Sequence, residues 1–195
     1  MNLATNAFAG KVVVVTGGTS GLGLAAVQYF AEHGAKVHAI GLACAAVDFS
    51  AYPQVEACEL DVTDQAAMDA FFDGLKSLHF LITAAGITLG SCELEPDNFR
   101  KVIEVDLMAV HYSVHKGAAV IARSGGGAVV NFASMAMAFA GPSTPGYVAS
   151  KGAIVTLPGS RPRNGWGRAC GSTRWRRAGS TVRSCVHCPR LSWRG

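Results

Sequence analysis

No stretch of this chain approaches the ~20 consecutive apolar residues that a membrane span needs, and Met1 to Ala9 lacks the basic start of a secretory signal. Both absences point to a cytoplasmic protein. The six cysteines (44, 58, 92, 170, 185 and 188) lack the spacing of a disulfide framework, as expected of reduced thiols in a cytosol. Acidic side chains are missing altogether from residues 158–195, which hold nine arginines and all three tryptophans, 166, 175 and 193. Residues 1–157 hold all 13 acids against eight lysines and arginines, so the formal charge of +4 averages a body at −5 and a tail at +9. At 195 residues and 50% hydrophobic, the chain is too apolar for disorder and long enough for one domain with a real core. That domain is expected over 1–157, with 158–195 a basic irregular tail.

What is present in the body alternates between two periods. Val12-Val13-Val14-Val15 is a β-branched run of the kind that fills a strand buried on both faces. It breaks into Thr16-Gly17-Gly18-Thr19-Ser20-Gly21-Leu22-Gly23, and a helix is predicted from about Gly21 to His33. Further strands are predicted at Lys36–Ile40, Val55–Leu60, Leu78–Ala84 and Ala128–Phe132. Helices are predicted after an Asp64 cap, from Pro96 through to about Arg123, and from Tyr147 to Leu157. Such alternation implies right-handed crossovers and a doubly wound parallel α/β sheet. Ligands of these sheets sit beyond the carboxyl ends of the strands, at the switch in strand order.

The candidate functional residues all fall at such ends. Gly17, Gly21 and Gly23 let the backbone turn tightly and lie close against a ligand, while the first N–H groups of the next helix face the turn. With the positive end of the helix dipole added, that is a place for a pyrophosphate. Tyr147 and Lys151, four apart at the start of a helix, stand on one face. A phenol, with an ordinary pKa of ~10, is a poor acid or base at neutral pH unless a cation favours the phenolate. Lys151 is placed to be that cation, and Ser134 at the end of the fifth strand is placed to hold a substrate oxygen. The set suits hydride transfer to or from a carbon bearing oxygen, with Tyr147 moving the proton. His33, His38, His79, His111 and His115, and Met135 and Met137, read as packing or solvated surface, and Cys185-Val-His187-Cys188 lacks the second pair that a metal site needs. No metal site is expected.

Together these residues resemble the short-chain dehydrogenase/reductase family over 8–157. Thr16 to Gly23 resembles its TGxxxGxG cofactor turn, Asp61-Val62 the acid that contacts adenine, and Ala84-Ala85-Gly86 its NAG segment. Ser134 with Tyr147-Val-Ala-Ser-Lys151 resembles its catalytic set, the thirteen-residue gap included. The resemblance implies a Rossmann-type fold and an NAD or NADP cofactor. It assigns cofactor contacts to Thr16, Gly17, Gly21, Leu22, Gly23, Asp61, Val62, Ala84, Ala85, Gly86, Tyr147 and Lys151. It also implies a small alcohol or carbonyl substrate, and pairing of copies through the helix containing Asp106 and the helix beginning at Tyr147. Members that prefer NAD carry an acid at the position of Gly41, and those that prefer NADP a basic residue at that of Leu42 or Ser20. Neither charge is present, and without a cation for the 2′-phosphate the expectation is NAD.

Three departures bear on activity. Thr83-Ala84-Ala85-Gly86 replaces NNAG, removing both Asn side chains that brace the sheet. Asp106 replaces the catalytic Asn, keeping an acceptor while losing a donor and adding a charge beside Lys151 and Tyr147, which predicts an impaired proton relay. Beyond Leu157 the family's remaining helix turns, its VNxxxPG sixth strand, its substrate lid and its seventh strand are not found, so the sheet is expected to be C-terminally incomplete, with the fifth strand's edge bare. Leu157 to Ala178, written in GC-rich codons with one adenine inserted after the first, translates as L-T-R-E-P-A-A-E-W-L-G-P-R-V-R-V-N-A-V-A-P-G. That relic points to a base lost near codon 158. The rival reading is a catalytically dead nucleotide-binding fold whose Arg/Trp-rich tail binds nucleic acid or an anionic surface.

Overall fold

The computed structural model describes residues 6–137 and 143–157, together with the backbone of 169–177 and 180–186. β1 (Val12–Thr16) is its centre: Val13, Val14 and Val15 are wholly buried, as a β-branched run covered on both faces requires. β1 pairs in parallel with β2 (Lys36–Gly41) on one side and with β4 (Phe80–Thr83) on the other. β3 (Val55–Glu59) extends the sheet beyond β2 and β5 (Gly127–Asn131) beyond β4, again in parallel. The order β3-β2-β1-β4-β5 reverses direction between β1 and β4, so the doubly wound Rossmann-type sheet is there with its switch point at those two strands.

Alternate side chains of β1 feed the two faces. Val14 joins Met68, Phe72, Leu81 and Ile121 in one core, and Val13 and Val15 join Val27, Ala31 and Ile82 in the other. The first core is covered by α2 (Gln65–Gly74) and α4 (Ala109–Arg123), the second by α1 (Gly21–Glu32). Each fully buried side chain of this size contributes about 1.5–3 kcal/mol. Asp64 caps α2 as expected, its carboxylate accepting the Ala67 N–H at 3.0 Å.

The helix predicted without interruption from Pro96 to Arg123 is three pieces. α3 (Pro96–Ile103) leads into a π-helical turn, Glu104–Met108, and then into α4. The N–H of Ala109 closes that turn on the carbonyl of Glu104, five residues back. α5 runs Pro145–Thr156, with Pro145 in the first turn.

Past α5 the family's own sixth and seventh strands are missing, as expected, but the edge of β5 is not bare. The sequence of 158–195 reads as lacking strand pattern, which leaves β5 bare, and that expectation is corrected. The backbone of Ala169–Arg177 (β6) instead lies parallel to β5, Gly127 opposite Ala169 and Asn131 opposite Thr173. Ser180–Val186 (β7) returns antiparallel along β6. An open edge is a row of unpaired N–H and C=O groups that accepts any segment able to extend, and Thr173, Trp175, Thr181, Val182 and Val186 are residues that favour strands. The pairing therefore needs no family sequence. The side chains of the tail, on which the nucleic-acid reading depends, lie outside the described residues.

Candidate active site

At the carboxyl end of β1, Thr16 is buried, its carbonyl accepting the Ala84 N–H at 2.9 Å and its hydroxyl the Ala85 N–H at 3.5 Å. Gly17 follows with φ +69°, and a Cβ there would stand 2.6 Å from the Ala85 nitrogen. The turn after β1 and the segment after β4 are thus pressed together backbone to backbone. Gly23, in the first turn of α1, lies so close to Gly17 that a Cβ would run into its carbonyl. Gly21 opens the helix behind Ser20, whose side chain makes no capping hydrogen bond, and Leu22 is exposed. The opening N–H groups of α1 consequently have no side-chain cap, which suits an anionic ligand.

The carboxyl ends of β2 and β3 are less committed. Asp61 is exposed beyond β3, and its Oδ1 accepts the N–H and hydroxyl of Thr63 at 2.9 and 2.7 Å. Val62 is buried at the margin of the first core. At the end of β2, the Thr19 hydroxyl donates to the Leu42 carbonyl at 3.1 Å and fills the space that a side chain at Gly41 would occupy.

The other half of the site gathers around the π turn. Asp106 is wholly buried; its Oδ1 accepts the Ile87 N–H at 2.7 Å and its Oδ2 lies 3.0 Å from Lys151 Nζ. Burial pushes the Asp106 carboxyl above its ordinary value, against the opposing pull of the Lys151 ammonium and the Ile87 N–H. The same ammonium lies 5.5 Å from the centre of the Tyr147 ring. A Cβ on Gly86 would stand 2.9 Å from Asp106 Oδ2 and 3.3 Å from Lys151 Nζ, so the backbone after β4 rests directly on this ion pair. Gly17, Ala85, Gly86, Asp106, Lys151 and Tyr147 form one chain of neighbours. Ser134, beyond β5, accepts the Ala136 N–H at 3.2 Å and leads into the turn Met135–Met137, which packs on α5.

Two features were not anticipated. Glu93, in the loop after β4, is 1% exposed and accepts the Thr88 hydroxyl at 2.9 Å, the Leu89 N–H at 3.0 Å and the Tyr147 N–H at 2.9 Å. It caps α5 from 54 residues away and so fixes the turn that carries Tyr147. Burial works against its charge, yet the N–H groups of Tyr147 and Leu89, the Thr88 hydroxyl and the Gly146 N–H together hold its carboxyl below the ordinary value. The only sequence signal is an acid three residues ahead of Pro96, which does not reveal its partners. Second, the brace expected to be lost with NNAG has a substitute: the Thr83 hydroxyl donates to Asn131 Oδ1 at 2.8 Å, tying β4 to β5.

Residues 11–160 match the family model for short chain dehydrogenase. A 3alpha-hydroxysteroid dehydrogenase of Mediterraneibacter gnavus is 31% identical over 167 residues, covering 78% of this chain and 67% of the relative. A 2-dehydro-3-deoxy-L-rhamnonate dehydrogenase (NAD(+)) of Sphingomonas sp. is 32% identical over 167 residues, covering 80% of this chain and 66% of the relative. Among solved structures, the ligand-free aldohexose dehydrogenase of Thermoplasma acidophilum superposes with a TM-score of 0.69 at 26% identity, over 79% of this chain and 61% of that one. The chain spans about two thirds of the length of the relatives it matches. No helix among the described residues is long and apolar enough to cross a membrane. With the glycine turn and the Tyr147–Lys151 helix meeting at one end of the sheet, the chain belongs to the short-chain dehydrogenase family.

Proposed function

We propose that the chain is an oxidoreductase that moves a hydride between a nicotinamide cofactor and a small alcohol or carbonyl compound. The observation that carries this reading is the Gly86 backbone seated on the Asp106–Lys151 pair, which joins the glycine turn to the Tyr147 ring in one cleft. The glycine turn fits a dinucleotide, since Gly17 lies too close to the Ala85 backbone to carry a side chain and none stands between a ligand and the opening N–H groups of α1. Thr16, Gly17, Gly21, Leu22 and Gly23 would hold its pyrophosphate, Asp61 and Val62 its adenine, and Ala84 to Gly86 with Lys151 its nicotinamide ribose. When bound, the nicotinamide supplies the hydride acceptor or donor.

The chain's own groups do the rest. Ser134 donates to the substrate oxygen and keeps it beside Tyr147, whose hydroxyl takes or returns the proton. The Lys151 cation favours the phenolate that forms as the proton leaves. Asp106 sets a negative charge behind that cation and slows the step. Residues 158–195 lack the VNxxxPG segment expected against the nicotinamide, so turnover is slow, and a base lost near codon 158 accounts for the tail; resequencing that stretch decides the point. NAD is preferred, because neither Ser20 nor Leu42 offers a cation to a 2′-phosphate. Copies of the chain pair through the groove of about 340 Å³ between α4 and α5, lined by Leu107, Met108, His111 and Ala153.

The test is a thermal-shift titration with NAD and with NADP, followed by cofactor reduction with a panel of secondary alcohols. Stabilisation by RT ln(1 + [L]/Kd), stronger for NAD, and turnover abolished in Tyr147→Phe are expected. A chain that neither cofactor stabilises at millimolar concentration would overturn the reading.

A further inference from the structure

Away from the cleft, strand register brings together three side chains that the sequence scatters. His38 on β2 stands opposite Glu56 on β3, and Ile40 opposite Cys58. Residues 38, 56 and 58 therefore share the face that α2 covers, where the His38 ring meets Phe71 edge-on at 5.7 Å. One ligand atom from each of His38, Glu56 and Cys58 lies within 4.8 Å of the other two. His38 is 7% exposed, and its buried Nδ1 has no hydrogen-bond partner among the described residues while lying 3.4 Å from Glu56 Oε2. A buried imidazole nitrogen left without a partner costs stability, and in proteins such an atom is ordinarily satisfied.

The spacing suggests what satisfies it. Nitrogen and oxygen ligands about 2.0–2.1 Å from a tetrahedral ion stand roughly 3.3–3.4 Å apart, and the Nδ1 to Oε2 separation is 3.4 Å. We propose that His38, Glu56 and Cys58 bind a zinc-type divalent cation, with water as fourth ligand, on the sheet edge away from the cofactor cleft. Imidazole, thiolate and carboxylate are the donors of zinc rather than of magnesium or calcium. Burial lowers the proton affinity of His38, which keeps the imidazole neutral and its lone pair available. Burial and Glu56 push the Cys58 thiol up to about 11, so binding releases its proton to solvent and tightens as pH rises. The Lys36 ammonium, 3.4 Å from the same Glu56 oxygen, has to swing aside; its side chain is largely exposed and free to do so.

The experiment uses the full chain and Co²⁺ as a spectroscopic stand-in for Zn²⁺. A thiolate-to-cobalt charge-transfer band saturating at one equivalent, bleached by Zn²⁺, is expected. Cys58→Ser should remove the band. Glu56→Gln, at a largely exposed position, should weaken binding at least ten-fold, as should His38→Gln where that variant folds. Replacing Cys185 and Cys188 together by Ser should leave the band unchanged. Absence of the band, its survival in Cys58→Ser, or its loss only in the Cys185/Cys188 variant would overturn the proposal. The result is independent of any cofactor or turnover measurement.

Discussion

Replacing Asp106 by Asn removes the charge behind Lys151 without altering the bulk of the side chain. The carboxylate lies 3.0 Å from Nζ, and Nζ lies 5.5 Å from the Tyr147 ring centre, so Oδ2 is within about 8.5 Å of that ring. At an effective dielectric of ~20, a unit charge at that distance opposes an anion on the ring by at least about 2 kcal/mol. If half to all of that opposition is felt in the transition state, Asp106→Asn speeds turnover by about 5- to 30-fold. The gain has a direction in pH. Because burial raises the Asp106 carboxyl, its charge appears only as pH climbs through that raised value, so the variant-to-parent rate ratio is near one in acid and grows as pH rises. The assay is kcat/KM against pH with NAD and a secondary alcohol, with the NAD thermal shift as a control that Lys151 still binds. A ratio flat in pH, or below one, would refute the reasoning.

Other perturbations follow from the same contacts. Glu93→Gln leaves buried donors at Thr88, Leu89 or Tyr147 unsatisfied and should cost about 2–3 kcal/mol, read as a fall in Tm of roughly 5–10 °C. Since the folded-state carboxyl of Glu93 is held below its ordinary value, its stabilisation is present above the unfolded value and lost as pH falls through the folded one. The Tm difference between parent and Glu93→Gln should therefore shrink on acidification. Gly17→Ala places a methyl against the Ala85 nitrogen at a positive φ, and should abolish the NAD-dependent thermal shift. A salt-dependent filter-binding assay with and without residues 158–195 should show no specific retention of nucleic acid that depends on the tail.

What the sequence reveals follows from how local each signal is. The valine run of β1, the glycine turn and the Asp64 cap are decided by neighbouring residues, and the structure has them where the pattern puts them. The nearness of Lys151 to the Tyr147 ring is legible because four residues on a helix make a face. Glu93 was not, because its partners are backbone N–H groups contributed by a distant helix. The Thr83–Asn131 brace was missed because it depends on strand pairing. The tail strands escaped notice because an open edge, rather than their own composition, calls them into pairing.

The π turn leaves its trace along the whole helical segment. Buried positions come at Val102, Asp106 and Val110, and then at Ser113, Gly117 and Ile121. Two successive steps of four in a regular helix would swing the third residue about 80° away from the first. The wider coil absorbs that rotation, so the Asp106 carboxyl and an apolar seam both look inward from one continuous rod. Regularising the turn over Glu104–Met108 without removing a residue would instead rotate everything beyond it by about 80°, leaving either the carboxylate or the seam facing water.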